Sequence, residues 1–196
     1  MATQQSAASP RANRGPAAGP DNRRALIAAA RQIYADAGMD APFSAVAKRA
    51  GVGQGSLYRH FPDRTALAVA VYEENLAELE AFAQPADVTL DDLFDRVIAQ
   101  ATSSVGFLEL IDRHRHDARV EALGARFFEV VQRLVEREQA AGRVGDHVDP
   151  GHITLATGML ASEISRTDPD QRDAVARRIL TIFGDAFAPG AGRPSP

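Results

Sequence analysis

Large apolar residues recur along this chain at intervals of three and four, and no stretch sustains the alternation or the β-branched clustering of a sheet strand. That period gathers them on one face of a helix, so the expected fold is all-α. Glycine, proline and short capping residues divide the pattern into segments. Asp21 or Asn22 can cap a first helix with Leu26, Ala29, Ile33 and Ala37 on one side and a stop at Gly38. A short helix entered through Asp40, Ala41 and Pro42 turns Phe43, Val46, Ala47 and Ala50 inward and stops at Gly51. A third runs from about residue 54 to 61, before Pro62. From about Thr65 to about Ala83 a longer helix carries Val69, Tyr72, Leu76, Leu79 and Phe82 or Ala83, and Pro85 closes it.

In the second half, Thr89 and Asp92 have the spacing of a capping box before Leu93, Phe94, Val97, Ile98 and Ala101. The irregular apolar segment SVGFLELIDRHRH, residues 104–116, is expected to form a short helix. The longest periodic piece places Val120, Leu123, Phe127, Val130 or Val131, and Leu134 inward, with Gly142 as its stop. Asp149 and Pro150 open a helix through Ile153, Ala156, Leu160 and Ile164. A last one, capped by Asp168 with Pro169 at its first position, aligns Val175, Ile179, Ile182, Phe183 and Ala186. About nine helices result. The apolar faces of the final two are wider than a surface helix needs, and Ala156, Gly158 and Ala161 permit close approach. A homodimer seam and packing within one subunit both account for that width.

Composition narrows the functional classes. The chain has 196 residues, large enough to bury a core, and no apolar run approaches the ~18 residues of a membrane span, so no membrane partner is expected. It has no cysteine, which excludes disulfides, thiolate zinc sites, iron–sulfur clusters and cysteine nucleophiles together. The first residues lack the apolar core of a secretory leader, so a cytoplasmic location is expected. Residues 1–19, rich in Ala, Pro, Ser, Gly and Arg, cannot repay their ordering entropy by burial and are expected to be a disordered basic arm; residues 188–196 fail by the same test.

A net charge of -4 conceals an asymmetry. Residues 1–64 hold nine basic side chains against four acidic ones, a balance of +5, which leaves -9 for the remainder. A basic end on an acidic body fits a protein whose one end meets a polyanion.

Within the basic end, Ala50–Arg64 reads AGVGQGSLYRHFPDR. Its glycines do not make a phosphate loop: a helical pattern precedes Gly51, and no Lys stands beside Ser56. They do suit two short helices joined by a tight turn. Gly51 supplies the positive φ, Val52 plugs the space between the helices, Ala47 is small enough for the crossing, and Gly55 is expected to keep the second helix slim beside its partner. Leu57 and Phe61 would hold that helix to the core while Gln54, Ser56, Tyr58, Arg59 and His60 face outward. Amides and guanidinium groups read base edges, and hydroxyls and imidazoles bond phosphate oxygens, so the expected partner is double-stranded DNA.

The run AVAKRAGVGQGSLYRHFPDRTAL, Ala45–Leu67, resembles the helix-turn-helix of the TetR (tetracycline repressor) family. The matching positions are Val46, Ala47, Ala50, Gly51, Val52, Gly55, Ser56, Leu57, Tyr58, His60, Phe61 and Leu67. Gly53 departs from the family's usual Ser or Thr, which removes a side-chain cap, and Phe43, Ser44 and Ala45 replace a more polar entry. The stretch LVEREQAAGRVGDHVDPGHI is also similar to a recurring family segment, with Glu138 where Ala is common and Gly151 and His152 where an acidic pair is usual. The resemblance implies a homodimeric transcription regulator, usually a repressor released from a palindromic operator by a small-molecule effector. It divides the chain into a helix-turn-helix domain at 20–79, with its motif at 42–61, and an effector-binding and dimerisation domain at 80–187. It places DNA contacts at Ser44, Gln54, Ser56, Tyr58, Arg59, His60 and Arg64.

An effector pocket lined by Phe107, Leu110, Ile111, Phe127, Phe128 and Val131 competes with plain core as a reading of those residues. His114 and His116, two apart, would point to different sides of a helix, and the run DRHRHD reads as a solvated basic turn; no metal and no cofactor are expected. The chain has no G-x-S-x-G elbow, H-E-x-x-H helix or P-loop, so no catalytic residue is assigned and an enzyme is not expected. A DNA-binding architectural protein without an effector is the remaining alternative.

Overall fold

Residues 19–37, 41–101, 106, 109, 110 and 113–190 are described by the computed structural model of the protein. Eight helices are delimited among them: α1 (Gly19–Ala37), α2 (Phe43–Ala50), α3 (Gln54–His60), α4 (Arg64–Phe82), α5 (Leu90–Ala99), α6 (Ala118–Ala140), α7 (Pro150–Arg166) and α8 (Arg172–Phe187). No strand occurs among the described residues, and the all-α expectation holds. The short helix expected within 104–116, the arm up to residue 18, Gly38 and the last six residues lie wholly or largely outside the described residues.

The local signals that end and begin these helices act as their chemistry dictates. Gly51 has φ 66°; its N–H donates to the Lys48 carbonyl and that of Val52 donates to the Ala47 carbonyl at 3.0 Å, the paired bonds of a Schellman stop. Gly142, at φ 70°, ends α6 the same way, with Arg143 N–H reaching the Glu138 carbonyl at 2.9 Å. Thr89 and Asp92 form the expected capping box, and Asp149 with His152 forms another ahead of Pro150.

Two boundaries differ from expectation. Helix α1 starts at Gly19, so Asp21 lies inside its first turn, paired with Arg24, and is not its cap. Helix α8 starts at Arg172, because Asp168 accepts the Gln171 N–H in a turn that contains Pro169, and Arg172 Nε donates back to the Thr167 carbonyl. Its buried face also differs from expectation: Ala176 and Phe183 are buried, whereas Ile182 is 64% exposed and Ala186 is exposed.

Helix α4 is the spine. Leu67 to Tyr72 are buried without interruption, so after its exposed first residue this stretch of the helix is enclosed on all sides rather than along one stripe. It packs on α1 on one side and on α6 on the other, while α2 and α3 lie against α1, and α7 contacts α5, α6 and α8. Phe94, Phe183 and Phe187 continue the core between α5 and α8, with ring centroids 5.6 and 5.7 Å apart.

Candidate nucleic-acid interface

Helix α3 has seven residues, too short to be stable alone, so tertiary packing holds it. Leu57 is fully buried and Phe61, the residue that ends the helix, is 2% exposed. Burying a side chain of that size contributes ~1.5–3 kcal/mol, enough to offset a helix that lacks a side-chain cap. That cap is missing because Gly53, extended at φ -67° and ψ 146°, has only its carbonyl to give, accepting from Ser56 and Leu57.

The opposite side of α3 is exposed. Gln54, Gly55, Tyr58 and Arg59 face solvent, and Ser56 and His60 are half-buried. Tyr58 is 56% exposed, and its ring meets that of Phe43, the first residue of α2, edge-on with 5.4 Å between centroids. His60 lies beside the Phe61 ring at 6.4 Å. Arg59 folds back along its own helix, its Nε donating to the Gly55 carbonyl at 3.3 Å. Ser44 is exposed on α2, and Arg64 is exposed at the first position of α4, after Asp63, whose carboxylate accepts the Ala66 N–H. The Tyr34 hydroxyl beneath is pushed up to about 12 by burial, against the opposing pull of the Arg64 charge.

The structure adds two cations that motif reading passed over. Arg23 on α1 stacks over the Phe61 ring, 5.3 Å from its centroid, beside the end of α3. Lys48 is exposed one turn beyond Ser44 on the same side of α2. The signal for Lys48 was its four-residue spacing from Ser44; Arg23 had none, since its partner is 38 positions away. The described acidic side chains of this end are engaged by arginines: Asp21 with Arg24, Asp36 with Arg49 at 3.8 Å, and Asp63 with Arg119 at 3.7 Å.

Gly55 departs from expectation. A Cβ built there, or at Gly53, meets nothing within 4 Å, so no partner inside the subunit requires a slim helix. Of the residues considered for a pocket, Leu110 and Val131 are fully buried and Phe127 nearly so, Phe128 is 42% exposed, and Phe107 and Ile111 lie outside the described residues. His114 and His116 are exposed on a turn, and Asp117 caps α6 while Arg119 grips it through Nε at 2.9 Å and Nη2 at 2.6 Å. That grip holds the Asp117 carboxyl at about 2, below the usual carboxylate range.

Residues 26–71 match the model of the bacterial regulatory proteins of the tetR family. Among solved structures, a TetR transcriptional regulator from Streptomyces coelicolor, SCO0520, is 26% identical, with a TM-score of 0.60 over 86% of this chain and 99% of that one. The TetR transcription regulatory protein from Mycobacterium vanbaalenii is 23% identical, with a TM-score of 0.60 over 88% and 98%. Salmonella enterica GusR is 20% identical, with a TM-score of 0.61 over 85% and 95%. The last two likenesses are of fold. No curated protein matches the chain in sequence.

Proposed function

The chain belongs to the TetR family of bacterial regulatory proteins, and from that premise we propose that it is a dimeric repressor released from a palindromic operator by a small-molecule effector. The observation that carries the DNA-binding half is the outward face of α3. A helix too short to persist alone is pinned by Leu57 and Phe61, so that Gln54, Ser56, Tyr58, Arg59 and His60 are offered to a partner, flanked by Ser44 and Arg64. Gln54, at the first turn, reads base edges; Tyr58, His60, Ser44 and Arg64 hold phosphates.

The homodimer is supported by α7 and α8. Leu155 and Met159, one turn apart on α7, are 63% and 56% exposed, and Ile182 on α8 is 64% exposed. Large apolar side chains at that exposure are covered at little cost by a two-fold partner, and two-fold symmetry calls for a roughly palindromic site. The effector acts through α4. Glu80 receives both Nε and Nη2 of Arg126 on α6, at 2.8 and 2.7 Å. Arg137, also on α6, donates to the Ala83 and Pro85 carbonyls at the C-terminal end of α4. A ligand held among Leu110, Phe127, Phe128 and Val131, with Phe107 and Ile111, shifts α6 and through these bonds the spacing of the two readers, provided its affinity differs between the two spacings.

The test is binding of the purified chain to a palindromic duplex from its own upstream region against random duplex, at moderate salt. A preference for the palindrome is expected, and equal affinity for both refutes the reading. Tyr58→Ala and His60→Ala should weaken binding to all duplexes, whereas Gln54→Ala should relax base preference.

A further inference from the structure

The outermost line of α3 consists of one glycine and one arginine. At 100° per residue, Gly55 and Arg59 lie one turn apart on the side directly opposite Leu57 and Phe61, the two residues that bury the helix. Any partner that receives this helix end meets Gly55 and Arg59 first. Gly55 contributes bare backbone there. Its φ is not positive, and a Cβ would meet nothing within 4 Å, so neither conformation nor packing in the free protein accounts for a glycine in the first turn of a marginal helix. The vacant volume lies outside the protein, on the partner's side.

Arg59 crosses that bare patch. Its Nε is engaged by the Gly55 carbonyl at 3.3 Å, which restrains the long side chain along the helix axis and leaves Nη1 and Nη2 free of that contact. A guanidinium presented this way forms two parallel hydrogen bonds with a pair of acceptors on one base edge. In the major groove that pair is O6 and N7 of guanine. Thymine's single O4 and methyl, and adenine's mixed edge, do not match two donors.

We propose that Arg59 is a guanine reader, and that Gly55 is the clearance that lets the base edge come close enough to be read. The assignment rests on the operator-binding reading above and adds a specified base to it. Each half-site then contains one guanine that Arg59 selects.

The experiment is selection of bound duplexes from a random pool by the full chain and by its Arg59→Ala and Gly55→Ala variants, with unfolding midpoints recorded for each. The wild-type pool should hold one invariant guanine per half-site. The Arg59→Ala pool should lose the bias at that position alone, with affinity for the wild-type site falling about 10- to 100-fold. Gly55→Ala should bind the same site more weakly although its unfolding midpoint does not fall. If Arg59→Ala keeps the guanine and instead loses affinity evenly on all duplexes, with the salt slope reduced by about one, Arg59 is a phosphate contact and the assignment is overturned. Unchanged affinity in Arg59→Ala overturns it too. A wild-type chain that selects no sequence overturns the operator reading itself, a result separable from both of these.

Discussion

The same chemical change at two glycines four residues apart should have opposite effects on stability. At Gly51 the backbone is left-handed, φ 66°, and a Cβ would meet no neighbouring atom, so Gly51→Ala isolates the conformational cost. An L-residue in that region costs ~1–2 kcal/mol, of which ~0.4–1 kcal/mol is returned by a stiffer unfolded chain, leaving a net loss of about 1 kcal/mol. At Gly55 the backbone is helical and a Cβ again meets nothing, so Gly55→Ala gains the helix-propensity difference of ~0.5–1 kcal/mol. For a chain of this length 1 kcal/mol moves the midpoint by ~2–4 °C, so thermal unfolding at matched protein concentration should place Gly51→Ala below wild type and Gly55→Ala above it. Gly53→Ser, which restores a cap at an extended residue, should rise by only a few tenths of a kcal/mol. A neutral or stabilised Gly51→Ala, or a Gly55→Ala that melts lower than wild type, would refute the account of why these glycines stand where they do.

Leu57→Ala removes a fully buried side chain from the buried face of α3, and should cost ~2–5 kcal/mol, read as a lowered denaturant midpoint. Operator affinity should fall with it, although Leu57 faces away from the side proposed to meet DNA. Leu155→Glu combined with Ile182→Glu should shift the protein to monomers in sedimentation while its helical circular dichroism is kept; an unaltered sedimentation coefficient would remove α7 and α8 as the seam. Asp117→Asn keeps a capping side chain but gives up the charge facing Arg119. Because the folded carboxyl sits at about 2, below its ordinary value, its contribution is present above about pH 4 and lost as pH falls toward 2. The midpoint difference between wild type and Asp117→Asn should therefore shrink over that window, and a gap that widens with acid would contradict the ion-pair assignment.

Local signals were legible because each is settled within a few residues. Gly51 and Gly142 stop their helices, and Thr89 and Asp149 start theirs, by bonds that span three to five positions. Leu57, Phe61, Ile153 and Leu160 could be placed inside from period alone. What escaped depends on partners distant in the chain or on competing local geometry. Arg23 gains its place from Phe61, and Asp63 meets Arg119 across 56 positions, so neither leaves a trace in spacing. The start of α8 was misplaced because a Pro at the first turn of a helix and a Pro in a preceding tight turn look alike until the Gln171 hydrogen bond is seen. Ile182 was misassigned for a different reason: a face assigned from period alone cannot tell a core position from an exposed one.

The contact between Asp63 and Arg119 bears on how the two halves of the molecule communicate. Asp63 caps α4 and sits between α3 and Arg64, while Asp117 caps α6; one guanidinium faces both carboxylates. At the far end of α4, Arg137 of α6 holds the carbonyls that follow the helix, and Glu80 meets Arg126 one turn earlier. Helix α6 thus grips α4 at both termini, and α4 in turn carries Arg31 of α1 on Glu74 at 3.1 Å and Glu78 at 3.4 Å. Exposed ion pairs of this kind contribute little to stability singly, so their consequence is geometric. A displacement of α6 that moved only one end of α4 would have to break the contact at the other end or bend a helix that the core encloses from Leu67 to Tyr72. Rigid movement of α4 with α1 and α3 is the less costly response. On the proposed reading, that is how a ligand among the core residues of α6 changes where Arg59 and Gln54 stand without touching either.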